Sequence, residues 1–131
     1  MTRFAGALLA ISSLLAATPL LAHHSFAAEF DSEKQINLTG AVTKVEWMNP
    51  HARFYMDAKD EAGKVTNWEL ELGSPNTLLR KGWTRNSLKV GDTISVNAFL
   101  AKDGSRLGNA RTVNLADGRK VFADSSADAA K

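Results

Sequence analysis

From Ile36 onward, apolar residues recur at every second position in short runs, and the runs are broken by clusters of Gly, Asn, Asp and Pro. That pattern predicts short strands joined by turns. In "INLTGAVTKVEW" the alternation changes phase: Ile36, Leu38 and Val42 share one parity, Val45 and Trp47 the other. A slip of one residue flips the faces of a strand, so a bulge between Gly40 and Lys44 is expected, with a bent strand as its consequence. "HARFYMDAK" alternates without a break, placing Ala52, Phe54, Met56 and Ala58 inward and Arg53, Tyr55 and Asp57 outward. "VTNWELEL" puts Thr66, Trp68, Leu70 and Leu72 inward, and Asn67, Glu69 and Glu71 outward.

Between the third and fourth runs lies "GSPNTLLRKGW". Ser74 suits the N-cap, Pro75 the first helical position and Gly82 the left-handed exit, which predicts about two turns of helix. A strand over residues 93–101 follows, with Ile94, Val96, Ala98 and Leu100 as its buried stripe. Asp103-Gly104 marks a tight turn, and a last strand runs through Arg111 to Leu115. Residues 120–122 add an edge, and the small polar tail 123–131 has nothing to bury and is expected to be disordered. Three strands, a short helix and two strands form the element order of an all-β, five-stranded Greek-key barrel of the OB type. A generic small β-sandwich is the alternative architecture.

The first 22 residues do not fit this pattern. Arg3 is followed by the apolar stretch "FAGALLAISSLLAATPLLA", and no acidic residue occurs before Glu29. This is the layout of a secretory signal, with cleavage expected after Ala22. Ser12, Ser13, Thr18 and Pro19 interrupt the apolar run, so no membrane span is expected once the signal is removed. The expected organisation is a signal peptide at 1–22, a leader at 23–35, the barrel at 36–122 and the tail at 123–131, in a periplasmic or secreted protein.

Loss of Arg3 with the signal leaves 15 basic against 14 acidic side chains, a net charge of +1. Without a run of Lys and Arg, nothing suggests a surface that tracks nucleic acid phosphates. There is no cysteine in the chain. Blue-copper centres, iron–sulfur clusters, thiol redox pairs and cysteine nucleophiles are thereby excluded, and the fold must rest on its core alone.

The segments "HHSFAAEFD", "VEWMNPHARFYMD", "NWELELGSPNTLLRKGW" and "LKVGDTISV" resemble a family of small exported bacterial proteins classed as a domain of unknown function. The resemblance spans nearly all of the chain after the signal. It implies an OB-like exported domain and no particular activity.

Candidate chemistry centres on three histidines, His23, His24 and His51. Cleavage after Ala22 would give His23 a free α-amine beside its own imidazole, a two-nitrogen chelate available only at a chain's first position. With the His51 ring it would supply three nitrogens, and His24 a fourth, a donor set that suits copper(II) best among first-row divalent ions. His51 follows the Asn49-Pro50 turn, at the ligand-binding edge expected of an OB barrel, where Trp47, Met48 and Asn49 are further loop candidates. Met48 and Met56 offer thioethers, although Met56 has core parity. An N-terminal histidine pair can equally be a solvated chain start, and His51 can serve only its turn.

Trp47, Trp68, Trp83, Phe54 and Phe99 could form a stacking platform, but core filling accounts for them more simply. Glu69 and Glu71, two apart on one strand face, read as a solvated outer surface before they read as a carboxylate pair. No nucleophile triad or phosphate loop is present. The sequence therefore describes a protein that binds rather than catalyses. The expected ligand is copper or another divalent metal, held through the N-terminal histidine of the processed chain; a metal-free module that recognises an envelope protein or ligand is the alternative.

Overall fold

The structure is a computed structural model and describes residues 26–122. The elements are α1 (Phe26–Glu29), β1 (Phe30–Glu46), β2 (Arg53–Lys59), β3 (Val65–Glu71), α2 (Pro75–Arg80), β4 (Thr93–Ala101), β5 (Leu107–Leu115) and β6 (Lys120–Phe122). β1 pairs with β2 and β4, β2 with β3, and β4 with β5, all antiparallel; a parallel pairing of β3 with β5 closes the ring. The resulting circuit, β1-β2-β3-β5-β4, is that of an OB-type barrel, with β6 attached to β5 outside it.

One strand serves two halves of the barrel because it bends. β1 pairs with β4 along residues 30–41 and with β2 along residues 40–46, so Gly40 and Ala41 have neighbours on both sides. Val42 faces Met56 while Lys44 faces Tyr55, which leaves Thr43 as the extra residue of the bulge expected from the change of phase. β1 begins at Phe30, six residues before the strand start read from the alternation, because residues 30–35 are too polar to display a period of two.

The core lies inside the ring. Leu38, Val42, Ala52, Phe54, Met56, Ala58, Leu70, Leu72, Ile94, Val96 and Ala98 are buried, as their parity predicts. Met56 is thus a packing residue, and Trp68 is half-buried, with its Nε1 donating to Thr66 Oγ1 at 3.1 Å. Along β4 the expected stripe fades at its last member: Leu100 is only half-buried, whereas Phe99 and Ala101, on the opposite face, are buried. They belong to a second cluster with Phe30, Phe26 and Leu107, separate from the barrel core. Alternation predicts which face a side chain takes, but not that the outer face is covered.

Helix α2 forms for the local reasons legible in the sequence. Ser74 Oγ accepts from the Thr77 amide at 3.3 Å, Pro75 opens the helix, and Gly82 leaves it at φ +89°. Leu78 and Trp83 then turn into the core from the end of the barrel. Ser74→Ala is expected to lower stability by about 1 kcal/mol, the usual value of such a cap. Chemical denaturation measures it, and an unchanged midpoint would show that the cap contributes nothing.

Candidate functional site

Outward-facing positions of β2, β3 and β5 meet on the side of the barrel where β3 and β5 pair. Arg53 lies opposite Glu71 across β2 and β3, and Glu71 lies opposite Asn109 across β3 and β5. His51, two residues before Arg53, has the same outward parity. Its Nδ1 lies 3.5 Å from Glu71 Oε1, and its side chain is 29% exposed. Asn109 Nδ2 donates to the same Glu71 oxygen at 3.2 Å. Arg53 Nη1 donates to Glu69 Oε1 at 2.7 Å, while its Nη2 is 4.0 Å from Glu71 Oε2.

Glu71 corrects the expectation of a solvated outer face. Its outward parity is as predicted, yet the residue is only 4% exposed. His51, Arg53 and Asn109 crowd around it, and Glu29 of α1 lies close enough to act on its charge. Burial pushes its carboxyl above the ordinary carboxylate range, the charge of Glu29 raises it further, and His51, Arg53 and the Asn109 hydrogen bond oppose the rise. Glu69 is more open and forms its pair with Arg53. The two glutamates therefore do not act as a matched pair: one is paired near the surface and the other sits beneath an imidazole.

Toward the bulge of β1 the same outer face carries a ladder of exposed Lys44 with half-buried Glu46 and Tyr55. Lys44 forms an ion pair with Glu46 and lies 5.1 Å from the centroid of the Tyr55 ring. Tyr55 Oη donates to Glu46 Oε2 at 3.4 Å. Lys44 lowers the Glu46 carboxyl below its usual range, chiefly through their hydrogen bond. Opposite charges alternate along this ladder.

Of the sequence-predicted candidates, His51 is in this cluster. Trp47 is half-buried against the core, while Met48, 51% exposed, and Asn49 lie on the surface of the β1–β2 connection. The Asn49-Pro50 peptide is cis. His23 and His24 lie outside the described residues, as do the expected signal segment and the tail at 123–131. Among the described residues, no group of three or more His, Cys, Asp or Glu is placed to hold a metal ion.

The described chain begins beside this cluster. Phe26 packs edge-on against Phe99, at 5.2 Å between ring centroids, and Phe99 is the cross-strand neighbour of Asn109. The sequence reading missed both this docking and Asn109. The i, i+4 spacing of Phe26 and Phe30 was the one available hint, since a purely solvated leader has no use for two large aromatic side chains.

Ring order and closure make this an OB-type barrel, a class that hosts many ligands. The chain belongs to DUF6152, a family of unknown function, whose model matches residues 11–111. Comparison with curated proteins gave no match. Among solved structures, the chain is similar to the mitochondrial single-stranded DNA binding protein Rim1 of S. cerevisiae. That likeness has a TM-score of 0.49 at 9% identity and covers 63% of this chain and 93% of that one. Among the described residues, no helix is long and apolar enough to cross a membrane.

Proposed function

We propose that this is a small exported protein that binds copper(II) between its processed N terminus and His51. Removal of the signal after Ala22 gives His23 an amine and a ring nitrogen for the metal; His51 supplies the third nitrogen and His24 is available as a fourth. The observation that carries this reading is the pairing of His51 Nδ1 with the buried Glu71 carboxylate, on the face where α1 is docked. A carboxyl group beside Nδ1 leaves Nε2 as the ring nitrogen open to a metal, the arrangement in which a carboxylate supports a metal-bound histidine.

The alternating charges of the outer face favour neither nucleic acid nor any other polyanion. No catalytic step is assigned. An envelope interaction module without metal is the second reading, supported by the surface ladder of exposed Lys44 with half-buried Glu46 and Tyr55.

Intact mass of the secreted protein should show His23 as residue one, and a different start removes the chelate. Copper(II) titration of that material should give tight binding. Affinity should fall about a hundredfold or more in His51→Ala and in a form whose N-terminal amine is acetylated, since each loses a nitrogen donor. Glu71→Gln should cost about 10–100-fold, the usual effect of removing a carboxylate that orients a metal-bound histidine. Unchanged affinity in the first two variants would overturn this site, and no copper(II) binding by the unaltered protein would select the metal-free reading.

A further inference from the structure

We propose that a groove on the outer face of the barrel, floored by Gly40 and Ala41, binds a segment of uncharged glycan chain whose hydroxyl groups meet Asp57 and Lys59. The groove shares no residue with the cluster around His51 and does not depend on the copper reading.

The groove follows from the bend of β1. Gly40 and Ala41 are paired on both sides, and Gly40 brings β1 so close to β2 that a Cβ would collide with the Asp57 backbone. Ala41 then presents only a methyl group, in the middle of a row that crosses four strands. Asn67 of β3, Asp57 of β2, Ala41 of β1 and Thr93 of β4 are successive cross-strand partners. In the neighbouring row Val65 faces Lys59, and Thr39 faces Ser95. Elsewhere on this face, toward the bulge, the outer positions carry the long side chains of Lys44 and Tyr55. The small residues therefore leave a depression of about 510 Å³ among larger neighbours. Three strand spacings amount to about 14 Å, enough for more than one sugar ring.

The floor is apolar and the rim is polar. Gly40, Ala41 and Val65, itself 51% exposed, offer a surface for the C–H face of a sugar ring. Asn67 Nδ2 donates to Asp57 Oδ1 at 2.8 Å and to Thr43 Oγ1 at 3.3 Å, which holds the carboxylate in place and leaves Oδ2 to accept from a hydroxyl. The exposed Lys59 ammonium supplies donors, and the hydroxyls of Thr39 and Thr93 supply either partner. One carboxylate and one ammonium leave the groove without net charge, so a polyanion gains nothing there and an uncharged polyhydroxylated ligand fits. Past the groove the face stays uncharged. Thr39 Oγ1 and Ser95 Oγ lie 3.0 Å apart, and Asn97 Nδ2 donates to Asn37 Oδ1 at 3.0 Å. These hydroxyl and amide pairs extend the polar surface beyond what a single sugar could reach, and that continuity selects a chain.

The test titrates the nitrogen-15-labelled full processed protein with two uncharged oligosaccharides, N-acetylchitotetraose and cellotetraose, and follows the backbone amide resonances. At about 10 mM ligand, where a Kd of about 1 mM gives near saturation, at least one of them should shift the amides of Thr39, Ala41, Asp57, Val65 and Thr93. The corresponding monosaccharide should bind at least about tenfold more weakly. Asp57→Ala should weaken the tetramer about tenfold to a hundredfold, the usual loss for a hydrogen bond to a charged group. Ala41→Leu, which fills the floor, should abolish binding while the amide spectrum remains that of a folded barrel; should this variant unfold, Asp57→Ala decides. Absence of shifts with both tetramers, shifts centred elsewhere, full affinity in Asp57→Ala, or a monosaccharide that binds as tightly as its tetramer would overturn the proposal. Tighter binding of a sulfated oligosaccharide or of an extended peptide at these residues would also overturn it, by assigning the groove to another occupant.

Discussion

Gly40→Ala is expected to leave the chain unable to form the barrel. A Cβ at this position would lie 1.8 Å from the Asp57 carbonyl oxygen and 2.7 Å from its carbon, both backbone atoms of β2. No rotamer change relieves such a contact; β2 itself must move by more than 1 Å. At Gly40, β1 is paired with Ala58 on one side and Ile94 on the other, so neither neighbour can withdraw without losing ladder hydrogen bonds. A cost of about 4 kcal/mol or more follows, against a total of about 5–10 kcal/mol for a domain of this size. Far-ultraviolet circular dichroism and urea unfolding measure it, and a native spectrum with an unchanged midpoint would contradict the bend geometry. Glycine is required here by the close approach of two backbones and not by an unusual φ.

Trp83→Ala should remove about 3–5 kcal/mol, the range for deleting a large buried aromatic side chain. Trp83 is 2% exposed and belongs to the main core together with Leu72, Leu78 and Leu88, which it joins from the exit of α2. Its amide donates to Leu78 O at 2.9 Å, so the helix end sets the direction in which the indole enters the barrel. Replacement leaves a hole at the barrel end that a short helix with few contacts cannot move to fill. At about 4–8 °C per kcal/mol, Tm should fall by roughly 12–40 °C. Trp68→Ala, at a half-buried position, should cost clearly less. Equal losses for the two tryptophans in thermal unfolding would show that Trp83 is not the plug.

Much of the barrel was legible in the residues. Alternation located the strands because each has one face toward a single core, and a phase change revealed the bulge at Thr43, since a period of two cannot absorb an extra residue. Local capping chemistry at Ser74, Pro75 and Gly82 sufficed for α2. Of the candidate site, His51 could be named and its outward parity counted. Its partners could not: Glu71 reaches it across the β2–β3 pairing, and Asn109 joins Glu71 only through the parallel closure of β3 on β5, which brings together positions 38 residues apart.

What the sequence by itself determined is the inward face of each strand, the bend of the first and the start of the helix, all consequences of side-chain period and local hydrogen bonding. Only the tertiary structure decided that the outer face near β3 and β5 is covered, that Glu71 is buried there beneath His51, and that Phe26 and Phe30 dock on Phe99. Burial on an outer face depends on which distant segment lies over it, and no periodicity within a strand carries that information.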